Sequence, residues 1–200
     1  MMLLAVSQRV DLVPGRAEKR DALDQRWTHF LSHCGFAPLL MPNQPETAVR
    51  LFAATRCAGV LLTGGNDLQG LGGDSPERDR TEHLLINQAL VQNLPVLGVC
   101  RGMQLIQQRY GTTLQPVRGH VASDRVIDRS GTPLVRTCYH RFGATQTASD
   151  LEILSRAEDG VIEEVRHLSL PVRGLMWHPE RPERPAIEDV ALFQSFFKTE

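Results

Sequence analysis

The eight residues Pro95-Val96-Leu97-Gly98-Val99-Cys100-Arg101-Gly102 constrain this chain more than any others. A short apolar run of strand length meets Gly-x-Cys-x-Gly and passes straight into a segment where Met103, Ile106 and Tyr110 recur at helical spacing. Such a turn sets Cys100 at the tip of a sharp strand-to-helix bend, and the flanking glycines let strand and helix approach without side-chain clashes. It is the cysteine form of a nucleophile elbow. A helix N-terminus beneath the sulfur favours thiolate over thiol. The same pentapeptide also fits a structural cysteine at an ordinary strand–helix turn.

The rest of the chain repeats the rhythm. Leu3 to Ser7 reads as a strand, Glu18 to Cys34 as a helix closed by Gly35, and Phe36 to Met41 as a second strand. Thr47 to Thr55 reads as a helix and Gly59 to Leu62 as a third strand. A helix opening at Pro76-Glu77 carries Leu84, Leu85, Ala89 and Leu90 on its inner face. This alternation predicts a flavodoxin-like α/β fold, a mostly parallel sheet with helices on both faces. After Thr112 the texture changes: Leu134 to Tyr139, Val161 to Val165 and Val172 to Met176 read as antiparallel additions or a flanking small sheet. A last helix from about Ala186 to Phe197 presents Ile187, Val190, Phe193 and Phe197. No repeat or linker interrupts the chain, so residues 1–200 are expected to form one domain.

Composition removes several function classes. With 22 Lys and Arg against 23 Asp and Glu, the net charge is −1, which disfavours nucleic acid or a membrane surface as partner. The apolar start Met1 to Val6 is too short to span a bilayer and lacks a basic leader. Cys34, Cys57, Cys100 and Cys138 are spread without a C-x-x-C pair, so neither a disulfide frame nor a zinc ribbon is expected. A reduced, cytoplasmic setting follows, with Cys34 and Cys57 as core fillers.

Two further segments supply partners for a nucleophilic sulfur. In Trp177-His178-Pro179-Glu180, residues two apart in extended chain face the same way, so Glu180 can orient the His178 ring as a carboxylate orients a catalytic base. Alone, His-Pro-Glu also suits a surface turn; together with the upstream elbow it reads as chemistry. Gly64-Gly65-Asn66-Asp67 ends the third strand, where ligands of open α/β sheets bind, and its glycines offer either backbone N–H groups to an oxyanion or a tight turn.

These three segments resemble the class I glutamine amidotransferase superfamily. Within it, Arg78-Asp79-x-x-Glu82 and Cys100-Arg101-Gly102-x-Gln104 are similar to the free-standing γ-glutamyl hydrolases. The runs Phe36 to Pro42 and Glu158 to Glu163 also match that family's pattern. Ser7 to Asp11 and Arg20 to Trp27 resemble the short γ-glutamyl-CDP-amidate hydrolases of capsule phosphoramidate pathways.

The resemblance implies a small-molecule γ-glutamyl substrate and no cofactor or metal. Cys100 is the implied nucleophile, His178 the base and acid, and Glu180 the orienting carboxylate; the amides of Gly65 and Arg101 hold the oxyanion. It further implies that Gln104 contacts the glutamyl group and that Tyr139 and His140 line the substrate site. The family's Asn-Ser-x-His is departed from at Arg136 and Thr137. Arg9, Arg20 and Gln25 enter as anchors for a phosphate-bearing leaving group, since guanidinium matches phosphate geometry. Arg78 and Asp79 also read as plain helix caps, and His29, His33, His120 and His167 as surface or locally bonded histidines. A glutaminase component feeding a separate synthetase and a silent binding protein are the competing readings, and a homodimer is allowed. A serine-type α/β-hydrolase is disfavoured because Glu180 follows His178.

Overall fold

The computed structural model describes residues 1–121, 124–127, 133–136 and 138–198, with backbone pairing alone for 124–127. The strands are β1 Met2–Ser7, β2 Arg9–Leu12, β3 Lys19–Ala22, β4 Phe36–Met41, β5 Cys57–Leu62, β6 Val96–Val99, β7 Gln115–Pro116, β8 Asp124–Ile127, β9 Pro133–Arg136, β10 Phe142–Gly143, β11 Leu151–Ala157, β12 Ile162–His167 and β13 Val172–Leu175. The helices are α1 Gln25–Cys34, α2 Pro45–Ala53, α3 Pro76–Val91, α4 Arg101–Arg109 and α5 Ile187–Phe197.

Among the described residues, nine strands form one sheet in the order β4-β1-β5-β6-β13-β12-β11-β8-β9. The first five run parallel, and taken in chain order they stand second, first, third, fourth, fifth, the flavodoxin-like arrangement. From β13 onward every pairing is antiparallel. Side chains alternate across this sheet. Leu4, Val6, Leu61, Leu97 and Val99 face α1 and α5, where Phe30 and Phe193 meet edge to face at 4.7 Å. Ala5, Val60, Leu62 and Val96 face α2, α3 and α4.

Several expectations need correction. Residues 172–176 were expected among antiparallel additions; β13 instead pairs parallel with β6 and is the fifth parallel strand. The expected runs at 134–139 and 161–165 extend the same sheet through β9 and β12, β11 adds a strand the apolar pattern did not reveal, and the short β7 and β10 pair antiparallel in a small sheet of their own. Helix α1 begins at Gln25 and not at Glu18. Asp24 caps it by accepting the Arg26 N–H at 3.0 Å, and residues 19–22 pair with β2 in a hairpin. Asn66 holds that hairpin to the sheet, bonding both N–H and C=O of Val10 (2.8 and 2.9 Å). In α5, Ile187 is 83% exposed, because Asp189 turns inward to accept the Trp177 indole N–H at 3.1 Å. In α3, Ile86 joins Leu85 and Ala89 in the core, whereas Leu84 and Leu90 are half-buried. No helix among the described residues is long and apolar enough to cross a membrane.

Candidate active site

Strands β6 and β13 are neighbours in register, with Gly98 opposite Gly174 and Val99 opposite Leu175. One residue beyond β6 stands Cys100; three beyond β13 stands His178. The Cys100 N–H donates to Leu175 O at 2.7 Å, so the elbow is tied to the strand that delivers the histidine. Cys100 itself has φ 53° and ψ −107°, a strained conformation that non-glycine residues rarely hold. The surrounding packing accounts for the two elbow glycines. A Cβ on Gly98 would run into Gly102, and one on Gly102 into the Leu62 carbonyl.

His178 is buried, and its Nδ1 lies 2.7 Å from Glu180 Oε1. That bond fixes the ring and leaves Nε2 for the sulfur side. Gly64 marks how closely the groups gather, since a Cβ there would sit 2.8 Å from His178 Cε1 and 3.5 Å from Cys100 Cβ. Burial disfavours the His178 imidazolium, but the negative charge and hydrogen bond of Cys100, then those of Glu180, outweigh it and raise the pKa to about 9. A Cys–His–carboxylate set in this arrangement can attack a carbonyl and protonate a leaving nitrogen. The Cys100 sulfur also lies 3.8 Å from the Tyr139 carbonyl, and the Arg181 guanidinium stacks 4.0 Å over the Tyr139 ring.

A buried ionic cluster underlies the site. Arg78 donates to Glu82 Oε1 at 3.0 Å, and Arg101 donates through its two terminal nitrogens to Glu82 Oε2 and Asp79 Oδ1. Burial, reinforced by repulsion from Arg101, lowers Arg78 to about 10, so it remains a cation at neutral pH. Burial pushes the Glu82 carboxyl up, but Arg101 and Arg78 prevail and hold it below the usual range. On the other side of Cys100, the Glu163 carboxylate lies 3.1 Å from His120 Nδ1 and 3.3 Å from His140 Nε2, and takes the Cys138 thiol at 3.4 Å. His120, His140 and Glu163 are of metal-ligating type and their ligand atoms lie within 4.8 Å of one another. Their bonds also describe a carboxylate shared by two imidazoles, each ring being held on its far nitrogen by Asp159 or the Phe142 carbonyl.

A family profile described as glutamine amidotransferase class-I matches residues 20–199. The chain belongs to this family. Among its relatives is γ-glutamyl-CDP-amidate hydrolase of Campylobacter jejuni, 26% identical over 98% of each chain. The γ-glutamyl-γ-aminobutyrate hydrolase of Escherichia coli O157:H7 is 25% identical over 87% of this chain and 84% of its own. Anthranilate synthase component 2 of Azospirillum brasilense is 30% identical over 82% and 85%. The crystal structure of a Thermoplasma acidophilum protein, assigned as one component of GMP synthase, shares the fold, with a TM-score of 0.72 at 16% identity over 98% and 92% of the two chains.

In this chain, Cys100, Gly65, Arg101, Gln104, Tyr139, His140 and Arg9 line one cleft of about 330 Å³. His178 and Glu180 border the adjoining recess with Gly64 and Gly65. Gln104 reaches the cleft with its amide N–H bonded to Phe142 O at 2.9 Å. Arg20 and Gln25 are not brought to Cys100. Arg20 pairs with Glu18 at 2.6 Å and faces a groove of about 710 Å³ along the β2–β3 hairpin, and Gln25 is an exposed first residue of α1. Arg9 borders both spaces and is paired with Asp11 at 2.6 Å. Thr137 lies outside the described residues. His120 is buried and bonded, and no surface residue. Arg78 and Asp79 are no mere helix caps. Their signal was present: Arg78 and Glu82 are four apart and continue the buried stripe of Leu85, Ile86 and Ala89, where charge is out of place unless paired.

Proposed function

We propose that this chain is a cysteine amidohydrolase that cleaves a γ-glutamyl amide and releases glutamate. The observation that carries the reading is Cys100 on a strained elbow beside His178, whose far nitrogen is held by Glu180. The Cys100 sulfur attacks the γ-carbonyl carbon, and the C=O π pair moves to oxygen, which the N–H groups of Gly65 and Arg101 receive. As the carbonyl re-forms, the C–N bond breaks and the His178 imidazolium gives its proton to the departing nitrogen, leaving a γ-glutamyl thioester on Cys100. A water then gives its proton to His178 Nε2 and attacks the thioester; the sulfur departs with its electron pair and glutamate is freed. A reducing, cytoplasmic setting belongs to the same reading, since the working group is a free thiol.

For the leaving group we favour a phosphoramidate carried on a nucleotide, as in γ-glutamyl-CDP-amidate. The nearly full-length similarity to the Campylobacter jejuni hydrolase supports it, as do Arg9 and Arg20 along the hairpin groove. Both arginines must exchange a carboxylate partner for phosphate, and Asp11, Asp21 and Asp74 share the groove. A γ-glutamyl amine such as γ-glutamyl-γ-aminobutyrate is the simpler substrate of the same class. The test is glutamate release from both compounds by wild type and Cys100→Ala. Wild-type turnover falling by roughly 10⁴-fold or more in the variant is expected; equal turnover by both proteins removes the reading. Equal wild-type rates with and without the nucleotide remove the narrower substrate.

The 30% identity to an anthranilate synthase component favours one second reading, a glutaminase that passes ammonia to a separate synthase chain. Glutamine hydrolysis that appears only when a co-purified synthase is present would select it.

A further inference from the structure

The buried charges of α3 and α4 have no part in the proton transfers above, yet their bonds end on the backbone that frames them. A guanidinium carries five N–H donors in a planar fork. One edge of the Arg78 fork meets Glu82. The other meets the loop after β5: Nη2 donates to the carbonyls of Thr63 (2.7 Å) and Gly64 (3.0 Å), and Nη1 to the carbonyl of Gly65. Three successive carbonyls are thereby turned toward one cation. In a trans peptide the C=O and the next residue's N–H point opposite ways. Drawing Gly64 O onto Arg78 therefore turns the Gly65 N–H away from it, to the side of the loop where His178 and Cys100 lie against Gly64. The second oxyanion donor sits on Arg101, whose side chain is seated on Glu82 and Asp79. A single carboxylate, Glu82, thus fastens both donors, one through Arg78 and one through Arg101 itself.

We propose that Arg78 is a positioning residue for the oxyanion-binding amides, with Glu82 as the anchor common to both. This rests on the amidohydrolase reading and deepens it. Arg78 acts only through the aim of the Gly65 N–H while the sulfur–carbon bond forms and charge gathers on oxygen. A lysine at 78 keeps the charge but is a point donor, unable to hold three carbonyls in one plane.

The experiment compares two reactions of the same thiol in full-length wild type, Arg78→Lys and Glu82→Gln. One is hydrolysis of γ-glutamyl-p-nitroanilide. The other is alkylation of Cys100 by iodoacetamide, in which a C–S bond replaces a C–I bond at saturated carbon, iodide leaves and no oxyanion arises. Arg78→Lys is expected to lower kcat by roughly 10- to 100-fold with KM and the alkylation rate both within about twofold of wild type. Glu82→Gln is expected to give the same split with a smaller loss, and carries the comparison if the lysine variant melts below the assay temperature. Unchanged kcat overturns the proposal, and so does alkylation slowing in step with hydrolysis, which would mean that the whole site has moved. A wild type that alkylates readily but hydrolyses no γ-glutamyl probe would instead defeat the amidohydrolase reading before any variant is made.

Discussion

Two buried charge clusters flank Cys100, and they are built from different chemistry. On the α3–α4 side, Arg78, Arg101, Glu82 and Asp79 balance two positive charges against two negative ones. On the antiparallel side, Glu163 is shared by His120 and His140. Guanidinium holds its proton well above neutrality, Arg78 to about 10 even when buried, whereas imidazole is the side chain whose ordinary range lies near neutrality. The first cluster orients the backbone proposed to receive an oxyanion. The second holds the chain at Tyr139 and His140, where the Tyr139 carbonyl approaches the sulfur. Support for the charge that develops in the reaction is thus assigned to the guanidinium–carboxylate cluster, and the substrate wall to the imidazole–carboxylate one.

Glu82→Ala should break the comparison most sharply. It leaves Arg78 and Arg101 facing each other without their carboxylate, and urea unfolding should report a loss of roughly 3–5 kcal/mol. Glu163→Gln keeps an acceptor for one imidazole and should cost less, roughly 1–3 kcal/mol. It should also flatten the acid limb of stability. Burial pushes the Glu163 carboxyl up, but hydrogen bonds from His120 and His140 prevail and hold it below its ordinary value. Its contribution is therefore full above the unfolded carboxylate range and disappears as the pH falls through the lower folded value. A wild type and variant with parallel acid limbs would contradict this.

Between the clusters stands His178, where the sign is opposite. With its pKa raised to about 9, the imidazolium's contribution to stability is complete below about 6.5 and is lost as the pH climbs through about 9. The rate of γ-glutamyl transfer to Cys100 should decline above that point, by about tenfold per pH unit. Glu180→Gln should move this limb downward, since it removes a charge that favours the imidazolium. Arg80→Ala sets the floor of the series. Two residues from Arg78 on the same helix, Arg80 reaches Glu46 at 2.9 Å with both side chains in solvent. Its loss should cost roughly 0–1 kcal/mol and vanish in high salt.

The parallel half was legible because its strands are continuous apolar runs punctuated by glycine and proline. The elbow and the His178-Pro179-Glu180 segment could be read because each residue type has a geometric task at a fixed spacing. What escaped the sequence depended on distant partners. Residues 19–21 are charged, and with Ala22 they become a strand only through pairing with β2 and the Asn66 clasp. The strand at 172–175 is parallel because its neighbour is β6, about seventy residues earlier, and no local pattern encodes that choice. Arg78 and Asp79 also read as helix caps because helix periodicity counts apolar residues and passes over ions that bury one another. Arg20 was drawn into the candidate site by its place in a motif, but its own neighbour Glu18 holds it along the hairpin.

The adjacency of β6 and β13 has a consequence for how such chains can diverge. The elbow and the histidine follow two strands paired in register, and the path of the chain beyond α4 does not set which strand ends meet. Lengthening or shortening the chain after α4 leaves β6 beside β13, so descendants can remodel the wall around Tyr139 and His140 while inheriting the strand pairing that brings elbow and histidine to one end of the sheet.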